Sequence, residues 1–308
     1  MEELGIRPAA ATPPDRERVP PIRAVPVRHY GRWVFLGVLV AAVVLLARAF
    51  SGADIDYAIT LRHLTTANVL GGLVNTVVIS VLAQAVGIAL GVVFAVMGMS
   101  RHAEVRAVSA AYVWLFRGTP VLVQLLLWYN LSLVVSTVTI PGLGSWPTNQ
   151  LITPFVAALL GLGINEGAYM TEIVRAGIQS VDRGQTEAAH ALGMSPLLTM
   201  RRVVLPQAMR VIVPPTGNEF VSMLKLSSLA YAIQYGELLQ SAVKIYSNNL
   251  AIVELLLTVS IWYLVLTSVA TVFQGLLERR YSRGVTGVTG SSPSLRARLL
   301  GLRTKGTP

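Results

Sequence analysis

Two sets of residues in this sequence have types and spacings that go beyond packing. The first is polar or charged and sits inside otherwise apolar stretches: Glu166 and Glu172 within 155–178, and Asn218, Glu219 and Lys225 within 211–233. A charge at the centre of a membrane helix costs about 2.5–3.5 kcal/mol on insertion scales, so such a group faces a cavity or a partner. Acids beside a lysine and an amide suit contact with a zwitterionic solute. The second set, Glu187-Ala188-Ala189, Gly193 and Leu205-Pro206, lies in a long polar loop, 175–210. There a carboxylate stands among small side chains, followed by a glycine able to bend the chain. That pattern suits fitting into a groove on another protein.

Other chemistry is excluded by residue type. The sequence has no cysteine, so disulfide frameworks and thiolate sites are absent. Its four histidines, His29, His63, His102 and His190, form no HExxH pair, and aspartate occurs only at 15, 54, 56 and 182. An intramembrane enzyme therefore lacks its catalytic pair, and no GxxxxGK[ST] phosphate loop is present.

The elements that must position these residues are set by composition. Of the 308 residues 53% are hydrophobic and 13% charged, and mean hydropathy is +0.60. A soluble domain carries about 25% charged residues, so this is a membrane protein. Six apolar stretches are expected to span: 33–47 (extendable to 50 if Arg48 snorkels), 74–99, 119–135, 155–178, 211–233 and 255–277. The first follows a segment too long for a signal-peptide n-region and is expected to be a retained helix.

Net charge is +10, and its placement explains it. Segments 1–32, 101–117, 175–210 and 279–308 hold 21 of the 25 Lys and Arg residues, in alternate loops and both tails. The positive-inside rule then puts both termini in the cytoplasm, and the charge is a topology signal with no bearing on nucleic acid. The tails, 1–32 and 282–308, have no apolar period and are expected to be disordered, with at most weak affinity for anionic lipid.

Locally, Gln185–Leu192 reads as a helix capped by Gly193, and Ser195-Pro196 opens a second helix that ends by Pro206. Glu166 and Glu172 are about 9 Å apart along a helix and on different faces. Glu166 is the better path-lining candidate, whereas Arg175 is placed to pair with Glu172. Pro214-Pro215 removes two backbone donors and predicts a broken helix lining the path. Arg117 is read as snorkelling at the cytoplasmic face, with Thr119-Pro120 a structural elbow.

The sequence resembles the EAA-motif permeases of ABC importers, in particular those for polar amino acids. Glu187-Ala188-Ala189, then Gly193, then Val203-x-Leu205-Pro206 carry that likeness, with Val203 in place of the usual isoleucine. Phe116-Arg117-Gly118-Thr119-Pro120, Gly167-Ala168-Tyr169 to Arg175, Pro214 to Phe220 and Leu276 to Arg280 extend it over about residues 64–283. The resemblance implies an all-α membrane fold: a five-helix type I permease core, 64–281, with the helix 33–50 as an addition. It implies that Glu187, Ala188, Ala189, Gly193, Leu205 and Pro206 couple to a cytoplasmic ATPase, which binds ATP and Mg while this chain binds no cofactor. An extracytoplasmic solute-binding protein and a second permease protomer, identical or paralogous, are the other partners implied. Leu226 departs from the polar or acidic residue usual after Lys225. An ATPase-independent secondary transporter is the rival reading; it often shows an internal repeat, and none is evident.

Overall fold

The computed structural model describes residues 30–142 and 144–281. Most of the expected tails therefore lies outside the described residues; Tyr30–Arg32 begin a helix. That helix, α1 (Tyr30–Gly52), belongs to a unit separate from the rest of the described residues. The second unit runs from residue 56 and holds every candidate site residue.

In chain order the second unit consists of α2 (Tyr57–His63), α3 (Ala67–Gly98), α4 (Ala103–Gly118), α5 (Val121–Tyr129), strands β1 (Thr137–Ile140) and β2 (Gly144–Pro147), the short α6 (Thr148–Leu151), α7 (Pro154–Gln179), α8 (Arg183–Ala191), α9 (Pro196–Thr199), α10 (Leu205–Leu226), α11 (Leu238–Asn249) and α12 (Ile252–Tyr281). Among the described residues α1, α3 and α12 are long and apolar enough to cross a membrane, and α4 with α5 adds a fourth if that bent pair is one span. Helices α7 and α10 are long enough at 26 and 22 residues, but each carries three charged residues.

Helices α3 and α7 form the centre. In lipid, helices associate through close packing of small residues, because apolar burial offers little between them. Gly87 and Gly91, one turn apart on α3, lie flat against Glu166 and Met170 of α7, and a Cβ at either glycine would overlap them. From the other side, Gly163 of α7 receives Val86 and Gly167 receives Leu90 and the Tyr112 hydroxyl. This close packing around Gly163 and Gly167 buries Glu166.

Three expectations need correction. The stretch 119–135 is not one span: 103–118, read as a loop, is helical, and the chain bends by 101° before α5. Thr119 is extended, as residues before proline tend to be, and Pro120 has no N–H to continue the helix. Nor does α10 break at Pro214-Pro215; it stays helical to Leu226 and tightens into a 3-10 turn only over Ser227–Ile233. Finally, the helix that starts at Ser195 does not end by Pro206. It passes through a π-helical stretch, Met200–Val204, directly into α10, a register change that seats Pro206 near the start of the next regular turns. The small antiparallel pair β1–β2 is the one non-helical element among the described residues, with Val138 opposite Trp146.

Candidate functional site

The described helices bring Glu166 and Glu219 together and leave the other candidates apart. Glu166 lies 12 residues from the start of α7 and 13 from its end, so about 18–20 Å from each. Its side chain is 3% exposed, and its Oε1 accepts from Gln84 Nε2 of α3 at 3.1 Å. Glu219 lies 14 residues, about 21 Å, along α10 from Leu205, and its charge reaches that of Glu166. The two carboxylates, one in the middle of α7 and the other about two-thirds along the adjacent α10, are close enough to feel each other's charge.

A cation is present there, one that sequence reasoning placed elsewhere. Because α4 is helical from Ala103, it carries Arg117 about 21 Å along its axis before the bend. The guanidinium carbon lies 5.0 Å from the centroid of the Tyr169 ring, one turn beyond Glu166, in a cation–π contact. Its charge also reaches Glu219, without closing to an ion pair. Arg117 therefore sits near the end of α4 and beside the middle of α7, and does not open a span, contrary to the reading of 119–135. The signal that would have revealed this is the helical character of 103–118, hidden because its arginines made it look like a loop.

Glu172 pairs with Arg175 at 2.6 Å, as its spacing predicted, and both are partly exposed. Asn218 accepts from Gln274 Nε2 of α12, which also donates to Glu278. Lys225 is exposed six residues beyond Glu219, and its ammonium group has no partner among the described residues. A cavity of about 1050 Å³ runs along α3, α7, α10 and α12 from Gln84 to Arg101, with Met170, Thr216, Phe220 and Gln274 in its wall. Gln84 closes it beside Glu166, and the Gln84 Oε1 is buried without a donor.

The loop candidates form a separate protrusion. Asp182 Oδ1 caps α8 by accepting from Gly184 N at 2.7 Å, and Gly193 closes it at φ +77°, a left-handed conformation that favours glycine. Ser195 Oγ accepts from Leu198 N at 3.4 Å to start α9, with Pro196 in its first turn. Glu187 and Ala188 are exposed, and so are Leu205 and Pro206. Ala189 is buried, so it packs within the protrusion and cannot be part of a docking face in this arrangement. In its place Leu192 and Leu197, 83% and 80% exposed, flank the Gly193 bend.

Known proteins share this sequence and architecture. The chain is 39% identical over 93% of its length to the arginine transport system permease protein ArgU of Corynebacterium glutamicum, covering 90% of that protein. It is 36% identical to the L-cystine transport system permease protein TcyB of Bacillus subtilis, covering 70% of this chain and 87% of that one. Among solved structures, an amino acid ABC transporter with histidines matches at TM-score 0.64 and 36% identity, over 74% of this chain and 100% of that chain. The MetNI methionine ABC transporter shares the fold at TM-score 0.57 and 18% identity, over 70% of this chain and 96% of that one. Residues 87–283 match the family described as binding-protein-dependent transport system inner membrane component. With more than half of its length matched, and the type I permease helices arranged around the Glu166 cluster, the chain belongs to that family of membrane permeases.

Proposed function

We propose that this chain is the transmembrane subunit of an ATP-driven importer that carries a polar amino acid through the cluster of Glu166, Glu219 and Arg117. The observation that supports the reading is that charged side chains of three helices lie near one another: Glu166 in the middle of α7, Glu219 on α10 and Arg117 at the end of α4 over Tyr169 of α7, where charges persist only for a function or a partner. The names of the relatives, which include permeases for arginine, cystine and glutamate/aspartate, support an amino acid as the solute. Asn218, just before Glu219 on α10, and Lys225, six residues beyond it, are assigned to the same path, and Glu172 to the ion pair that flanks it.

In this reading Glu187, Ala188, Gly193, Leu205 and Pro206 couple the permease to a cytoplasmic ATP-binding cassette subunit, with Ala189 supporting them from inside. ATP and Mg belong to that partner. An extracytoplasmic solute-binding protein delivers the solute, and a second protomer completes the path, since one bundle is too small to enclose it. Both termini face the cytoplasm, following the distribution of arginine. The family match and the missing internal repeat weigh against a secondary transporter.

The test is to tag the C-terminus, solubilise membranes in mild detergent and identify the co-purifying proteins by mass spectrometry. A Walker-motif ATPase is expected with the native chain and is lost from Glu187→Lys. A native chain that emerges alone in several detergents would refute the reading. Replacing Glu219 or Lys225 by leucine should abolish uptake while the ATPase still co-purifies; unchanged uptake removes that residue from the path.

A further inference from the structure

We propose that the long groove along α3, α10 and α12 is a binding site for an anionic phospholipid, whose acyl chains lie against α3 and whose phosphate meets Arg101. The inference is independent of the solute path proposed above and needs only that the chain spans a membrane.

The groove is walled by hydrocarbon. Ile88, Val92 and Val96 of α3 recur every fourth residue and form one ridge, in which Val92 and Val96 are 45% and 59% exposed. Val213 and Phe220 of α10 and Phe273 of α12 face the same space. Away from the mouth, the polar side chains in the walls have their donors committed. Thr216 Oγ1 donates to Ile212 O of its own helix at 2.8 Å, Gln274 Nε2 to Asn218 and Glu278, and Gln84 Nε2 to Glu166 at 3.1 Å. Glu166, Glu219 and Arg117 do not line the groove. A zwitterion would leave water here without a partner for either charge, so the site suits an apolar chain.

Its mouth is of the opposite character. Where α3 has ended, Arg101 lines the groove and is exposed, and among the described residues its guanidinium makes no hydrogen bond or ion pair. Arg106 Nη1 donates to Ser100 O at 3.1 Å and to Arg101 O at 2.9 Å, which fixes the turn and sets a second guanidinium at the same loop. Leu205 and Met200 line this end as well, and the exposed Arg201 and Arg202 follow Met200. The stretches 100–106 and 196–210 hold five arginines against one acid, Glu104, which is in no ion pair. Basic pockets between membrane helices attract anionic headgroups, and a guanidinium can grip a phosphate by two parallel hydrogen bonds.

Size decides between lipid and a helix of a second copy. From Gln84 to Gly98 α3 rises about 21 Å, close to the roughly 20–22 Å depth of one leaflet with its headgroups. Over that length a cavity of about 1050 Å³ has a mean cross-section of about 50 Å². An α-helix about 10 Å across needs roughly 80 Å², so it can only rest on the rim, whereas acyl chains enter.

The test uses the full-length chain with the subunits that co-purify with it. It is reconstituted in vesicles of equal phosphatidylcholine and phosphatidylglycerol, re-extracted in mild detergent, and its retained lipid counted by native mass spectrometry. Phosphatidylglycerol is expected to be retained about tenfold over phosphatidylcholine. Arg101→Gln should lower that preference about fivefold, and Arg101→Lys, which keeps the charge, should preserve most of it. Val92→Trp fills the groove from an exposed position and should expel lipid of either headgroup. Val93→Trp, at the neighbouring exposed residue outside the groove, should not. Equal retention of the two lipids, an undiminished preference in Arg101→Gln, or as much lipid on Val92→Trp as on Val93→Trp would overturn the assignment. So would displacement of phosphatidylglycerol by millimolar inorganic phosphate, which would mean that the mouth reads a free anion. A native chain that carries no lipid would leave the groove to a second copy and overturn it equally.

Discussion

The cluster around Glu166 and the protrusion around Gly193 use the same kinds of residue under opposite conditions. Glu166 is 3% exposed and held by Gln84, with α3 glycines pressed against it. Glu187 is exposed on a nine-residue helix whose neighbours are solvent and a left-handed glycine. A carboxylate in water is unremarkable in energy, and its meaning comes from the shape around it. A carboxylate between packed membrane helices needs its partners built in, so its meaning comes from the three other helices that supply them. The first kind of site is recognised by a local pattern, the second only in three dimensions.

That contrast can be broken from either side. The largest effect is expected from Glu187→Lys, which reverses the charge on the protrusion: ATP-dependent uptake should vanish while thermal unfolding of the purified chain stays unchanged. Gly87→Val should do the reverse. A side chain there overlaps Glu166 and forces α3 from α7, destabilising the fold by about 1–3 kcal/mol, read as a lower unfolding temperature in detergent. A smaller loss, about 1–2 kcal/mol, is expected for Gly193→Val, since φ +77° is a conformation that non-glycine residues resist. It should weaken ATPase capture as well, because the bend sets the angle between α8 and α9. The mildest is Leu197→Ser: at 80% exposure it should leave stability within about 0.5 kcal/mol yet reduce ATPase co-purification. Strong destabilisation there would mean that the leucine is packed in the unit and does not serve as a docking side chain.

The same contrast explains what was legible in the sequence. The caps and bend of the protrusion were readable at Asp182, Gly193 and Ser195-Pro196, because each is decided within a few residues. Membrane character was readable from composition, and Glu172 with Arg175 from a spacing of three. What failed was long-range. Arg117 was read as opening a span, whereas it closes α4: its place depends on 103–118 being helical, and its contacts depend on a tyrosine 52 positions later. Pro214-Pro215 read as a break, yet neighbouring helices keep α10 intact, as membrane helices allow. Ala189 has the same small side chain as Ala188, and only the fold decides which of them faces inward.

The unbroken passage from α9 through the π-helical stretch into α10 has a mechanical meaning. No loop separates the protrusion from the helix that bears Glu219, so the two form a lever with its short arm in the protrusion. Over the roughly 21 Å from Leu205 to Glu219, each degree of tilt moves the carboxylate by about 0.4 Å. A swing of about ten degrees displaces it by about 4 Å, further than the length of a hydrogen bond. A modest rotation at the tip is therefore enough to change how strongly Glu219 feels the charge of Arg117.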